Sequence, residues 1–498
     1  MTTSSPLPPY PSAPYPSAPY PLAPAPLPTG PLWRWDAADI ARGIRSRAIS
    51  SREAVAACLE RLDAVNGRVN AVVERLDDTA LAAADLADQA VAAGGPLGPL
   101  HGVPVTIKIN IDLAGSATSN GLPGLAGNIA AEDAPVSRNW KAAGAIPFGR
   151  TNAPSMSLRW FTDNPLFGAT LNPHDAGRSP GGSSGGAGAA LATGIGPLAH
   201  GNDLGGSVRL PANWCGVAGI RPTLGRVPAF NPSLGVERMI VSNLAAVQGP
   251  LARSIRDLRM GLAAMAARDP RDPWWVPVPE RPRAHAAPIR VALFIPDGTH
   301  PLIADTLRTA AGWLDAAGYV VDEASPPDFA ATHQLWLDLL AAENRFGTRA
   351  TAEKYGNATL LNMLDAMAMH ANPLDMAGFI ASLARRNAIL RDWLIFFERY
   401  PLILMPVSLE PAMPLGADEH PAAELRPLID AFAPLNATAI LGLPGLSVPT
   451  GFAPAPEGTG RLPLGVQIVG GRYEEATMLD AGAAIEARAG TMPVVDPA

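Results

Sequence analysis

The sequence predicts an α/β fold. Short apolar, β-branched segments alternate along the chain with longer segments of helical periodicity, the pattern of strands layered with helices. The chain has 498 residues, 48 % of them apolar and 17 % charged, enough to bury a sizeable core. Glycine and proline, 48 and 53 residues, punctuate the segments throughout.

Taken in order, residues 1–32 carry no charge and 12 of the prolines, with PSAPY in tandem at 11–15 and 16–20. They read as a polyproline-biased disordered extension without the basic start and apolar core of a secretory signal. Order is expected from about Trp33. Ser50 and Glu53 form a capping box ahead of Val55, Cys58, Leu59 and Leu62 at helical spacing. Val103–Ile107 reads as a buried strand with Lys108 at its end. A helix near 253–267 precedes a proline-rich connector at 268–288, expected on the surface. Ile289–Ile295 is strand-like. Ile303, Leu307, Ala310, Ala311 and Leu314 mark an amphipathic helix, and Tyr319–Glu323 is strand-like again. Residues 329–399 read as helical. Ile403–Val407, Gly445–Pro449 and Gly465–Val469 are short strand candidates, and a helix closes the chain near 473–488. Length alone favours two to three domains.

Composition excludes several classes. The net charge of −7 argues against a phosphate-binding surface and hence against nucleic acid as a partner. Two cysteines, Cys58 and Cys215, cannot build a disulfide framework or a four-thiolate zinc site, and they suit a reducing, cytoplasmic setting. No run of ~20 apolar residues exists to span a membrane. The eight histidines form no ligand-spaced cluster, so neither metal nor cofactor is expected. Only three residues are lysines, Lys108, Lys141 and Lys354. A lysine kept inside an apolar run, as Lys108 is between Ile107 and Ile109, invites a chemical explanation.

The chemistry is concentrated at 178–227. Gly181-Gly182-Ser183-Ser184-Gly185-Gly186 could be a flexible linker, but Ala187–Leu191 continues as helix. A second cluster, Asp203-Leu204-Gly205-Gly206-Ser207-Val208-Arg209, follows 24 residues on. Glycine lets main-chain N–H groups approach a reacting centre unobstructed, the basis of anion sites and oxyanion holes. Alone, Lys108 reads as a salt-bridged structural lysine. Beside two serine clusters it reads as a general base, because burial drives an ammonium towards its neutral form and lysine-activated serine is an attested alternative to the histidine triad. Gly182–Gly186 also fits G-x-S-x-G with Ser184 as nucleophile. That elbow needs a preceding strand, which Gly177-Arg178-Ser179-Pro180 does not supply, and a later histidine; His333 and His370 lie in helical sequence.

These residues resemble the amidase signature hydrolases. Gly181–Thr223, GGSSGGAGAALATGIGPLAHGNDLGGSVRLPANWCGVAGIRPT, is similar to the family's defining stretch. Gly102–Lys108 resembles its lysine strand, and Gly149–Asn152, Asn164–Thr170 and Gly465–Gly470 resemble accessory blocks. The likeness covers roughly residues 33–490. It implies a single domain over 33–490, overriding the length prior, with a mixed central sheet flanked by helices on both faces and a short C-terminal tail at 491–498. It implies a Ser–Ser–Lys triad: Ser207 as nucleophile, Ser183 as the bridging serine after a cis peptide, Lys108 as base. The N–H groups of Leu204, Gly205, Gly206 and Ser207 match the oxyanion hole. Ser184 and Asp203 are expected to brace the loops, and Arg209 to pair with a carboxylate. The chain departs from the family at Ile109, where many members have an acidic residue. It departs also in NDLGGS for TDTGGS, and in Ile220-Arg221-Pro222-Thr223 for LKPT, which reads as a surface-type exchange.

The implied activity is hydrolysis of a small-molecule carboxylic amide to acid and amine or ammonia. No acidic or basic receptor stands out, so a hydrophobic or aryl acyl group is expected. Trp160, Phe161, Trp214, Phe329, Trp336, Met363 and Met367 are candidate pocket residues, against the plainer reading of aromatic and methionine core. Three alternatives stand beside amidase activity: aryl ester hydrolysis or carbamate hydrolysis at the same site, or the glutamine-hydrolysing role of a tRNA-dependent amidotransferase inside a partner complex. A homodimer is a further open expectation.

Overall fold

A computed structural model describes residues 26–235, 237–278, 284–455 and 460–497. Eleven strands form one sheet: β1 Val72–Arg75, β2 Pro104–Lys108, β3 Ile146–Thr151, β4 Leu198–Asp203, β5 Ala218–Arg221, β6 Val247–Ala252, β7 Arg290–Leu293, β8 Val320–Glu323, β9 Leu402–Met405, β10 Gly445–Pro454 and β11 Arg461–Gly470. Their order across the sheet is β1-β3-β2-β4-β6-β5-β10-β11-β9-β7-β8. The sheet is mixed. β2 runs parallel to β3 and β4, and β7 parallel to β8 and β9; the other neighbours are antiparallel.

Side-chain alternation along the strands feeds two cores, one on each face. Leu402 and Leu404 enter one cluster together with the helices Ile255–Met265, Pro301–Ala316 and Glu475–Ala489. Ile403 and Met405 enter the other, which holds the helices Phe329–Phe346 and Ala433–Ile440. Ile107, with Val105, packs in the first of these cores. The mixed sheet flanked by helices is the fold the sequence implied.

The local signals explain where elements begin. Ser50 Oγ accepts from Glu53 N at 3.0 Å while Ser50 N donates to Glu53 Oε2 at 2.7 Å, so the capping box opens the helix Ser51–Val69. The helical region at 329–399 is four helices, Phe329–Phe346, Thr348–Tyr355, Ala358–His370 and Met376–Arg399. The strands β1, β3, β4, β5 and β6 are not among those the sequence predicts. β5 (AGIR) and β6 (VQGPLA) are buried along their whole length, so neither alternates in hydropathy, and their glycines and proline suggest turns.

Of the proline-rich connector, 279–283 lie outside the described residues, as do 1–25 of the N-terminal extension and Ala498 of the C-terminal tail. The described part of the connector is not wholly superficial. Asp269 and Asp272 are buried, and Asp272 Oδ2 accepts from Ala229 N at 2.7 Å. The sheet runs through strands on both sides of it. Within 491–497, Val495 N donates to Ala192 O at 2.9 Å and Val495 O accepts from Arg61 Nη2 at 3.0 Å, so this segment is docked.

Candidate active site

The parallel strands β2 and β4 lie side by side, with Val105 opposite Leu198 and Thr106 opposite Ala199. Their carboxyl ends bring Lys108 beside Asn202. Such strand ends are where open α/β sheets place ligands and chemistry. The chain between β3 and β4 supplies Ser183 and Ser184. The peptide bond Gly182–Ser183 is cis, and Ser184 precedes the helix Gly185–Ala192. Lys108 Nζ lies 2.7 Å from Ser183 Oγ, 3.1 Å from Ser184 Oγ and 2.8 Å from Asn202 Oδ1. Lys108 is fully buried, and burial drives its ammonium well below the ordinary lysine range, with the Asp203 charge opposing. A neutral amine has two N–H donors and one lone pair. Asn202 Oδ1 only accepts, and Ser184 Oγ can take the second N–H, which leaves the lone pair for the Ser183 hydroxyl.

Ser207 follows the second glycine cluster and is 7 % exposed, against 1 % for Ser183 and 0 % for Ser184, so of the three serines it reaches furthest towards solvent. Ser184 N donates to Ser207 O at 3.1 Å, joining the two clusters directly. Asp203 organises the turn between β4 and Ser207. Its Oδ1 accepts from Gly206 N at 2.8 Å and Arg209 Nη2 at 2.8 Å, and its Oδ2 from Arg209 Nε at 3.0 Å and Val208 N at 3.2 Å. Arg221 Nη1 reaches Oδ1 at 3.3 Å and Asp203 O at 2.6 Å. Burial alone would raise the Asp203 carboxyl, but Arg209, Arg221 and the Gly206 N–H hold it well below the usual carboxylate range.

Two expectations need correction here. Arg221 is not a surface exchange: it is 0 % exposed and bonded also to Leu443 O and Ala439 O. Gly206 is not free to serve among the oxyanion donors, because its N–H is engaged by Asp203. Among the described residues, the N–H groups of Leu204, Gly205 and Ser207 have no protein acceptor. Arg209 does pair with a carboxylate, that of Asp203, and Gln467 Oε1 on β11 accepts from its Nη1 at 2.7 Å. Asn202 and Gln467 carry no role in the sequence reading. Asn202 has one signal in the sequence, a polar residue immediately before Asp203 at the start of the second glycine cluster.

Six of the candidate pocket residues, Trp160, Phe161, Trp214, Trp336, Met363 and Met367, are buried in one cluster. Trp160 lies 5.8 Å from Trp336 and 4.7 Å from Phe432, ring centre to ring centre. Phe329 is half-buried against Phe294, 4.9 Å away. The elbow reading of Ser184 lacks its strand, since none of 177–180 belongs to one, and His333 is bonded to Asp430 at 3.0 Å. Among the described residues, no His/Cys/Asp/Glu group could hold a metal and no helix is long and apolar enough to cross a membrane.

A buried lysine against a serine hydroxyl, with a second serine behind unengaged main-chain N–H groups, defines a serine-type amide hydrolase. The chain belongs to the Amidase family, whose model matches residues 53–479. It is 47 % identical over 465 residues to an indoleacetamide hydrolase of Bradyrhizobium diazoefficiens, covering 93 % of this chain and 88 % of that one. It is 34 % identical to a glutamyl-tRNA(Gln) amidotransferase component of Moorella thermoacetica, covering 91 % and 96 %. Among solved structures, a bacterial aryl acylamidase of the amidase signature family superposes with a TM-score of 0.79 at 26 % identity, covering 93 % of this chain and 98 % of that one. The chain is an amide hydrolase of this family.

Proposed function

We propose that the chain hydrolyses an arylacetamide of the indoleacetamide class to the arylacetic acid and ammonia. The observation that carries this is the contact of Lys108 Nζ with Ser183 Oγ at 2.7 Å in a fully buried site, in a chain 47 % identical to an indoleacetamide hydrolase. The aromatic cluster around Trp160, Trp336 and Phe432 beside the glycine loop supports an aryl acyl group.

In this reading neutral Lys108 accepts the Ser183 proton and Ser183 accepts that of Ser207 as Ser207 Oγ attacks the amide carbon. The N–H groups of Leu204, Gly205 and Ser207 receive the oxyanion; one such donor is worth about 3–4 kcal/mol where it has been tested. Ser183 returns the proton to the leaving nitrogen, the C–N bond breaks, and ammonia departs. Water then adds to the Ser207 ester through the same relay and releases the acid. Ser184 and Asn202 orient Lys108, while Asp203 and Arg209 hold the loop.

The catalytic unit is proposed to span about 33–490 and to work on its own in the cytoplasm, where both buried thiols, Cys58 and Cys215, stay reduced. The test is hydrolysis by the purified chain of indoleacetamide, an acetanilide, an aliphatic amide, an aryl carbamate and glutamine. Preference for the arylacetamide supports the reading. Glutamine hydrolysis that appears only with partner chains favours the amidotransferase alternative and overturns it.

A further inference from the structure

Three consecutive carbonyls of the turn before Ser207 are each held by a buried side-chain donor. Asp203 O accepts from Arg221 Nη1 at 2.6 Å, Leu204 O from Trp336 Nε1 at 3.1 Å, and Gly205 O from Trp160 Nε1 at 2.7 Å. Across a trans peptide, C=O and N–H point in opposite directions. Fixing a carbonyl therefore fixes the direction of the next residue's N–H. The Trp336 bond sets the Gly205 N–H, and the Trp160 bond sets the Gly206 N–H, which meets Asp203 Oδ1 at 2.8 Å.

The packing allows little other arrangement. A Cβ on Gly205 would lie 2.7 Å from Trp336 Cζ2, so the indole rests against the loop. A Cβ on Gly182 would lie 2.6 Å from the carbonyl carbon of Trp160, so the Trp160 main chain underlies the residue before Ser183. Trp160 thus touches both clusters, with its backbone against one and its indole N–H on the other. Its neighbour Arg159 is anchored by a buried pair with Asp418, Nε to Oδ2 at 2.7 Å and Nη2 to Oδ1 at 2.9 Å. The two indoles are 4 % and 2 % exposed.

We propose that Trp160 and Trp336 are positioning residues for amide hydrolysis, their indole N–H groups orienting the peptide planes that present the Gly205 N–H to the oxyanion and keep Ser207 in register with Ser183. This rests on Ser207 being the nucleophile and on the Leu204 and Gly205 amides receiving the oxyanion. The indoles act by hydrogen bonding, and their bulk as a substrate wall is secondary.

The test removes the N–H and keeps the shape: benzothienylalanine at position 160 or 336 of the full chain, with Trp160→Phe and Trp336→Phe beside them. The expected result is a fall in kcat of about 10- to 100-fold at each position, below the full loss of an oxyanion donor, with KM on indoleacetamide changed less than about twofold. Affinity for a trifluoromethyl ketone that forms an oxyanion on Ser207 falls by the same factor as kcat. Affinity for the arylacetic acid product and the ionisation governing the pH profile stay put. An unchanged kcat with benzothienylalanine overturns the proposal, and so does a rise in KM at constant kcat, which would make the indoles a pocket wall. If the phenylalanine variants fail to fold, the benzothienylalanine pair decides. Retention of activity in Ser207→Ala would instead remove the reading on which the proposal stands.

Discussion

Replacing Asp203 by asparagine tests whether the buried carboxylate holds the catalytic turn. Each carboxylate oxygen receives at least two donors: Gly206 N, Arg209 Nη2 and Arg221 Nη1 converge on Oδ1, and Val208 N and Arg209 Nε on Oδ2. An amide must point its NH₂ at one of these sets. Either orientation loses two or more hydrogen bonds and sets donor against donor. It also leaves the guanidinium groups of Arg209 and Arg221, both 0 % exposed, without a countercharge. Breaking a buried ion pair from one side costs about 3–5 kcal/mol, and we expect Asp203→Asn to lose that much in urea denaturation. Since Gly206 and Val208 flank Ser207, kcat should also fall by about 100-fold or more. The pH sign follows from the depressed carboxyl. The stability it contributes is present above the unfolded value of ~3.9 and is lost as pH falls through the lower folded value. Wild type should therefore lose stability more steeply than Asp203→Asn below about pH 4. A variant within about 1 kcal/mol of wild type that keeps its kcat would refute the reasoning, because a solvated pair of that sort is worth no more than this.

Other expectations follow from the same geometry. Activity should rise with pH through an ionisation well below the ~10.4 of free lysine, because burial lowers Lys108, and initial rates across a pH series read it directly. Lys108→Arg keeps a cation that cannot release its proton and should be inactive. Lys108→Met should be equally inactive but flatter in stability: wild type gains stability as pH rises between the folded and unfolded lysine ionisations, where only the unfolded chain holds the proton, and the variant should lack that slope in denaturation at stepped pH. Ser207→Ala should lose about 10⁴-fold or more in kcat with circular dichroism unchanged, and a fluorophosphonate adduct should map by mass spectrometry to Ser207 and not Ser184. Gly205→Ala brings a methyl to 2.7 Å from Trp336 Cζ2 and 2.9 Å from Asn436 Oδ1, and should lower kcat at least tenfold in steady-state assays.

What can be read in advance follows from how locally each feature is encoded. The capping box at Ser50 and Glu53 and the helices at 301–316 and 475–489 announce themselves through periodicity and caps, because a helix face exposes part of its pattern to water. β2, β7, β8, β9, β10 and β11 are visible as short apolar runs. β5 and β6 are not, since a strand covered on both faces has no polar side to reveal its period. The glycine–serine clusters and Lys108 stand out because glycine density and a lone buried lysine are costly unless something uses them. The partners that make the cluster work are another matter. Asn202 meets Lys108 only through the parallel pairing of β2 with β4, and Gln467 meets Arg209 across 258 positions.

Arg221 shows the limit most clearly. An arginine at the end of AGIR, where the family pattern this stretch resembles has LKPT, reads in the sequence as a change on the outside of the molecule. In the fold it is wholly buried, bonding the Asp203 main chain and side chain together with Leu443 O and Ala439 O. Four acceptors in fixed directions suit the planar fork of a guanidinium, and a single ammonium could not reach them all. The exchange therefore belongs with the indoles of Trp160 and Trp336: all three donate to successive carbonyls of the same turn. The glycine sequence that presents N–H groups to a substrate is permissive by itself, since glycine favours no single peptide orientation. Its direction comes from donors lying 18 residues or more away in the chain, the indole of Trp336 at 132. The motif supplies the freedom and the surrounding core removes it, which is why the nucleophile can be named from the sequence while the residues that aim the loop before it cannot.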